Sequence, residues 1–502
     1  MRRVPCLAVV QTVFAGGLLI NIGAPFLRHH ESVDTQYATM ARNQVRLGYR
    51  ATRLGSYTIS APDERVYSDW RLYVYPNRPP LSVFVTSLWF RVFGDAEWVL
   101  RLSLIAVGLG TLTAFAALAR KLLTERWKGI ALAAFAFFPI FWYFTVVAVH
   151  LAYALCFSVS AWACWVRWEE ARRYRVLAFL FLFLACESDW PGYFAVLSVS
   201  ADACFRKRWL VAGGFLGMSV ACFGLHLLHI YWIDPEHGPM VRIFLRGGWD
   251  RSAEWRPSLG AYAKSQTREV GLYFTAGAVL LAAVGARRLS RQMWLLGFLG
   301  LDEVVFSAWA HHHDYLTYSL TPFFAVAVAK GVEALWTTKC RKAIAGALLA
   351  MAALQSIWIT GDRLIRQGAS EASYLAATAI HETAKPLDRV LITIADERLF
   401  IPYYADRYTA GLEREGAELV VHWGRRGPVV ERVEDLERYF PDFSMVLVGD
   451  PDAAAREIRF FRGARPPAGF RFLAPDHSLR ARLESIAISK EKRGAFILYR
   501  LR

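Results

Sequence analysis

The chain has 502 residues, of which 55% are apolar and 14% aromatic, and a formal net charge of +16. That apolar share excludes an ordinary soluble enzyme, because unbroken apolar runs reach the roughly 20 residues that a bilayer span needs. The positive charge does not point to nucleic acid. Before residue 350 it gathers in short clusters between apolar runs, where basic residues set membrane topology.

In chain order, Arg2 and Arg3 precede an apolar stretch from Leu7 to Phe26, which lacks a small-x-small cleavage site and reads as a retained first helix. A polar loop, 28–97, follows. Within it Ser32 to Gly48 is predicted to be a short helix: Val33, Tyr37, Met40, Gln44 and Leu47 share a face, with Ser32 as cap and Gly48 as stop. Pro80 to Phe93 is apolar but too short to span, so it is expected to lie in the interface.

Candidate spans then run near 98–119, 129–147, 151–167, 176–187, 190–205, 209–232, 268–286, 292–310, 317–337 and 343–360. With the first helix they make about eleven. Basic clusters around Arg120/Lys121, Arg172/Arg173, Arg206/Lys207, Arg287/Arg288 and Arg341/Lys342 recur at every second connection, as cytoplasmic loops require. The first loop and the C-terminal part are then expected on the opposite, extracytoplasmic side. Seven cysteines lie in or beside the apolar runs, with no metal-type spacing and no sign of a disulfide framework.

From about Arg363 the composition changes. Strand-like runs Arg389–Ile394, Glu418–His422, Ser444–Gly449 and Ala495–Tyr499 alternate with helical Ser370–Ala384, Val433–Tyr439 and Ala453–Phe461. The expected fold class is an α-helical polytopic membrane protein over residues 1–362, followed over 363–502 by a soluble α/β domain. No Gly-rich phosphate loop or nucleophile elbow appears.

The polar residues able to do chemistry sit at the joints of the apolar runs. Glu31 and Asp34 are three apart at the start of the first-loop helix, where a carboxylate serves either as general base or as a cap for free amides. Arg78, held extended by prolines, suits a phosphate, with a lipid headgroup as its plainer partner. His150 and His313–Asp314 stand at outer ends of spans; a histidine there binds a metal or donates to a phosphate, although simple interface placement is commoner. Glu187 and Asp189 lie where two spans meet, and Asp302 and Glu303 lie inside a predicted span, where carboxylates are functional candidates by default. Glu97 and Arg101, four apart, are expected to pair.

Taken in order, these segments resemble the GT-C superfamily of polyprenyl-phosphate-sugar glycosyltransferases, in its dolichyl-phosphate-mannose protein mannosyltransferase and aminoarabinose transferase branch. The resemblance covers roughly 7–360 and rests on HESVDTQYATMARN from His30, NRPPL from Asn77, FGDAEWVLRL from Phe93, DWPGY from Asp189 and HDYLTY from His313. It implies a GT-C-like membrane catalytic domain with Asp34 or Glu31 as base, and Arg78, helped by His150 and His313, at the donor phosphate. Tyr37, Glu187, Asp189, Asp314 and Tyr315 would then contact substrate. The family's Asp-Glu pair before the tyrosine is Val33–Asp34 here, its acidic neighbour of the phosphate ligand is Asn77, and His150 replaces an acidic residue of some relatives. No cofactor is therefore assigned, and a divalent metal stays open.

The implied partners are a polyprenyl-phosphate-linked sugar, a lipid, glycan or protein acceptor, and membrane lipids, with no nucleic acid. The implied location is the bacterial inner membrane, with the site and C-terminal domain outside the cytoplasm. A transporter or flippase of lipid-linked sugars is the alternative, with Asp302 and Glu303 lining its path; no obvious internal repeat supports it.

Overall fold

The computed structural model describes residues 6–28, 30–58, 60, 74–76, 78–147, 149–234, 257–365, 371–386, 388–392, 401–415, 418–422, 426–430, 445–449, 477–493 and 496–501. Three of the described helices are by themselves long and apolar enough to cross a bilayer: Glu97–Leu122, Trp209–Ile233 and Lys339–Ile365. Only 22% of the most apolar window is buried in each of the last two, against 56% in Glu97–Leu122. Leu210, Val220, Leu354 and Trp358 are exposed on those outer helices, which is the surface a lipid tail covers and water does not. The chain is a membrane protein with a mostly helical fold.

Several of the other predicted spans are shorter or broken, each break having a local cause. The run predicted over 129–147 divides into Glu125–Phe137 and Pro139–Phe144, because Pro139 has no N–H to continue the first helix and instead starts the second. The run over 268–286 bends by 104° between Leu259–Tyr273 and Ala276–Ala286, where Thr275 takes φ +66°. The predicted span 292–310 is not one helix. Short turns replace it: Arg291–Leu295, Leu296–Gly300, Leu301–Val305 and Ser307–His312. Asp302 and Glu303 thus lie at the start of a five-residue helix rather than inside a continuous span.

We label α1 Cys6–Leu19, α2 Ser32–Leu47, α3 Tyr49–Thr52, α4 Leu81–Phe93 and α5 Glu97–Leu122. The α2 helix follows the amphipathic pattern, although Glu31 and not Ser32 takes the cap position, and Gly48 ends the helix at φ +84°, a conformation that disfavours side chains with a Cβ. One large apolar cluster joins these helices to Val149–Trp165, with Phe14, Phe135, Phe141, Trp162 and Trp165 fully buried. Small residues let later helices close up: a Cβ on Gly331 would strike the Leu281 carbonyl, and one on Gly285 the Ala327 carbonyl.

Toward the C-terminus lies a seven-stranded sheet of order β4-β3-β2-β1-β5-β7-β6. Its strands are Arg389–Ile392, Tyr408–Glu415, Glu418–His422, Arg426–Val430, Met445–Gly449, Ser489–Arg493 and Phe496–Arg500. β1 runs parallel to β2 and β5, and the remaining pairs are antiparallel. Ala376 and Ile380 of the helix Glu371–Thr383 share a core with Val390, Ile392 and Leu447. The predicted helices Val433–Tyr439 and Ala453–Phe461 lie outside the described residues.

Candidate active site

The site is built around the start of α2. Glu31 occupies the position just before the helix and is wholly buried. Its Oε1 accepts from Arg101 Nη2 at 2.8 Å, and its Oε2 accepts from the Arg28 backbone N–H at 2.6 Å. Arg101 also donates to the carbonyls of Ile22 at 2.8 Å, Ala24, and Pro25 at 3.4 Å, so one buried guanidinium ties down the turn leading into α2. Glu31 is therefore held by two donors at the turn into α2. Arg101 pairs with Glu31 and not, as expected, with Glu97.

Asp34 lies one turn further along. It is equally buried, yet neither carboxylate oxygen has a hydrogen-bond partner. Burial, reinforced by the negative charge of Glu31, pushes its carboxyl well above the ordinary range despite the opposing pull of Arg101 and Arg28. A buried carboxyl without a protein partner has the chemistry of a strong general base once it is deprotonated.

One turn beyond Asp34, a chain of contacts leads from α2 to the arginine. Tyr37, three residues on, has a buried hydroxyl without a hydrogen-bond partner, and its ring stacks on His150 at 5.2 Å and 16°. His150, at the start of Val149–Trp165, has its Nε2 3.8 Å from Asp189 Oδ2. That same oxygen accepts from Arg78 Nη1 at 2.5 Å. Tyr315 presents its ring edgewise to His150 at 6.1 Å. Pro191 sets the position of Asp189, since it starts the next helix within two residues. Gly192 then allows that helix to touch the end of Arg172–Ser188, where a Cβ would strike the backbone of Ala185.

A second group flanks this chain. Asp314 Oδ1 is 2.8 Å from His30 Nε2, and its other oxygen accepts from the Tyr273 hydroxyl, which Arg363 approaches at 3.3 Å. The Tyr315 ring packs against His30 at 5.3 Å and His313 at 5.2 Å. The structure thus links Tyr37, Arg78, His150, Asp189, His313, Asp314 and Tyr315 through contacts with one another and with His30, and Asp34 lies one turn before Tyr37 on α2. Glu187 turns away, with the Cys222 thiol beside it. Asp302 is buried, with both oxygens lacking a hydrogen-bond partner, while the Glu303 carbonyl accepts from Tyr262 at 2.9 Å.

Sequence reasoning missed His30, Tyr273 and the role of Arg101. An arginine inside an apolar helix was the available signal for Arg101, since such a charge needs buried partners. Tyr273 lies far from its partner in sequence and carried no signal. Among the described residues no group of three or more His, Cys, Asp or Glu side chains is arranged to hold a metal ion. The cation beside Asp189 and His150 is Arg78 itself, a donor set that does not suit a metal, and Asn77 is outside the described residues.

No family model matches the chain, and no curated protein matches its sequence. Solved structures do match in shape. An oligosaccharyltransferase from Archaeoglobus fulgidus, tethered with an acceptor peptide, aligns at 14% identity and a TM-score of 0.59, over 89% of this chain and 69% of its own. ArnT from Cupriavidus metallidurans aligns at 14% identity and a TM-score of 0.58, over 92% of this chain and 96% of its own. This chain has the GT-C fold. The archaeal oligosaccharyltransferase AglB, in complex with an inhibitory peptide and a dolichol-phosphate, matches at 13% identity and a TM-score of 0.53; this chain spans 63% of its length. ArnT has also been solved bound to undecaprenyl phosphate, and in that form it aligns at a TM-score of 0.55. The GT-C fold thus carries lipid phosphates in two of these neighbours.

Proposed function

We propose that this GT-C protein moves a sugar from a polyprenyl-phosphate donor to a hydroxyl acceptor on a lipid, glycan or protein at the extracytoplasmic face of a bacterial inner membrane. The observation that carries the reading is the buried, unpartnered Asp34 one turn before Tyr37 on α2, with contacts running from Tyr37 through His150 and Asp189 to Arg78. That arrangement supplies a proton acceptor and a phosphate-binding cation.

In this reading Asp34 takes the acceptor's O–H proton while that oxygen forms its bond to the anomeric carbon. The bond from that carbon to the phosphate oxygen breaks on the opposite side, so the configuration inverts. Charge growing on the leaving phosphate is met by Arg78, a delocalised cation whose Nη1 donates to Asp189. His150 and His313, both packed against the Tyr315 ring, would assist at the phosphate, and Tyr37, Tyr315, Asp189 and Asp314 would shape the substrate's surroundings. Glu187 is left out of this assignment. Glu31 holds the loop and is not the base.

The test is transfer from a panel of polyprenyl-phosphate sugars by lipid-reconstituted protein, with product configuration read by NMR. An inverted product from wild type, and weakened donor binding in Arg78→Ala, support the reading. A retained configuration, or donor binding indifferent to Arg78→Ala, contradicts it.

A further inference from the structure

The far end of α2 is held as firmly as its start, and by a different part of the chain. Arg42 is buried, its Nε bonds Asp95 Oδ2 at 2.5 Å, and its Nη1 donates to the Tyr403 carbonyl at 2.7 Å. Its guanidinium also lies 4.1 Å from the centre of the Tyr403 ring. One turn on, Arg46 Nη1 meets Asp406 Oδ1 at 2.6 Å, and its Nη2 lies 3.5 Å from Asp95. Asp406 further accepts from Ser60 at 2.9 Å, and the Tyr403 hydroxyl donates to the Asp95 carbonyl at 2.7 Å. The Tyr404 hydroxyl accepts from the Phe26 N–H at 2.7 Å, just ahead of the turn that Arg101 ties down.

Tyr403 and Tyr404, in the helix Ile401–Ala405, and Asp406, between that helix and strand β2, belong to the C-terminal α/β part. Asp406 takes φ +47°, a left-handed conformation uncommon for residues other than glycine, and its carboxylate is held there by Arg46 and Ser60.

We propose that Arg42 and Arg46 of α2, clamped to Asp95 and to Asp406 of the C-terminal part, are positioning residues that fix the rotation and depth of Asp34. The proposal rests on the assignment of Asp34 as base. Arg42 is two turns from Asp34 on one rigid helix, while Arg78 and Asp189 come from other segments. Loosening the clamp therefore moves the base and leaves the phosphate ligand in place. The C-terminal part then acts as a brace for catalysis, beyond any role in binding an acceptor.

The experiment compares Arg42→Lys, Asp406→Asn and the charge exchange Arg46→Asp with Asp406→Arg in the full-length, lipid-reconstituted protein. Binding of bare polyprenyl phosphate is expected to stay within about twofold of wild type, while kcat falls by about 10- to 100-fold, as misplacement by about an ångström does. The charge exchange should regain part of the loss relative to Asp406→Arg alone. The acid limb of the pH profile should also move downward, because a displaced Asp34 loses burial and closeness to Glu31, with Arg28 and Arg101 the cations facing it. Unchanged kcat overturns the proposal, as does a loss of kcat matched by lost phosphate binding and thermal stability in all three variants. Amide exchange over residues 32–47 keeps the clamp testable should no sugar be transferred: faster exchange in Asp406→Asn supports it, and unchanged exchange overturns it.

Discussion

Glu31 and Asp34 stand one helical turn apart, both fully buried, yet Arg101 and the Arg28 amide satisfy the first while neither oxygen of the second has a hydrogen-bond partner. Their substitutions should fail in different ways. Glu31→Gln removes one partner of a buried ion pair, and stability should fall by about 3–5 kcal/mol, read as lost thermal stability in detergent. Asp34→Asn should do the reverse. Its carboxyl is raised in the folded state, so the native protein binds more protons than the unfolded chain between the unfolded and folded values, and stability declines as pH rises through that window. The asparagine variant should abolish that decline, melting higher than wild type at alkaline pH. For the same reason, wild-type transfer should rise with pH through the raised value as the base deprotonates. A transfer rate that falls over that range would contradict the assignment. Sequence alone placed both carboxylates and left the choice open, since three-residue spacing is silent on which one an arginine 70 positions away would claim.

At the scale of elements, amphipathic helices were legible and breaks in apolar ones were not. α2 showed its buried face and its terminating glycine in its pattern. The bend at Thr275 left no trace, because apolar residues flank it on both sides and a threonine gives no warning of φ +66°. The turns replacing the predicted span 292–310 were hidden in the same way. Edge strand β6, with sequence SKEKR, was missed because charge guards an open sheet edge and erases the usual strand signal. Helix packing yields a sharp expectation: Gly331→Val should force Thr321–Leu335 away from Ala276–Ala286, where no space for a Cβ exists. Thermal stability in detergent should fall by several degrees, whereas Gly217→Ala, in open surroundings, should leave it unchanged.

For the whole molecule, the basic clusters fall at every second connection of the sequence, and the C-terminal part makes contact with the first loop and its approach through Arg42, Arg46 and Phe26. That alternation predicts sidedness. An impermeant maleimide should label an introduced Lys490→Cys in intact cells, while exposed Cys340, beside Arg341 and Lys342, should react only after permeabilisation. Labelling in the opposite order would place the site in the cytoplasm. The likeness to an oligosaccharyltransferase and to ArnT extends over most of the chain, although identity is only 13–14%. Such a fold survives sequence change because apolar residues substitute for one another in a helical bundle, while its chemistry needs only a few side chains in fixed places. The motif order was legible for that reason, and the long-range pairs of Arg101, Tyr273 and Arg42 were not.

The most direct measurement is a single turnover of a radiolabelled polyprenyl-phosphate sugar already bound to reconstituted protein, comparing wild type with Asp34→Asn. Sugar transferred or released by wild type, and donor bound but unreacted in Asp34→Asn, is the predicted result. Equal turnover by the two proteins would show that another group takes the proton and would contradict the account.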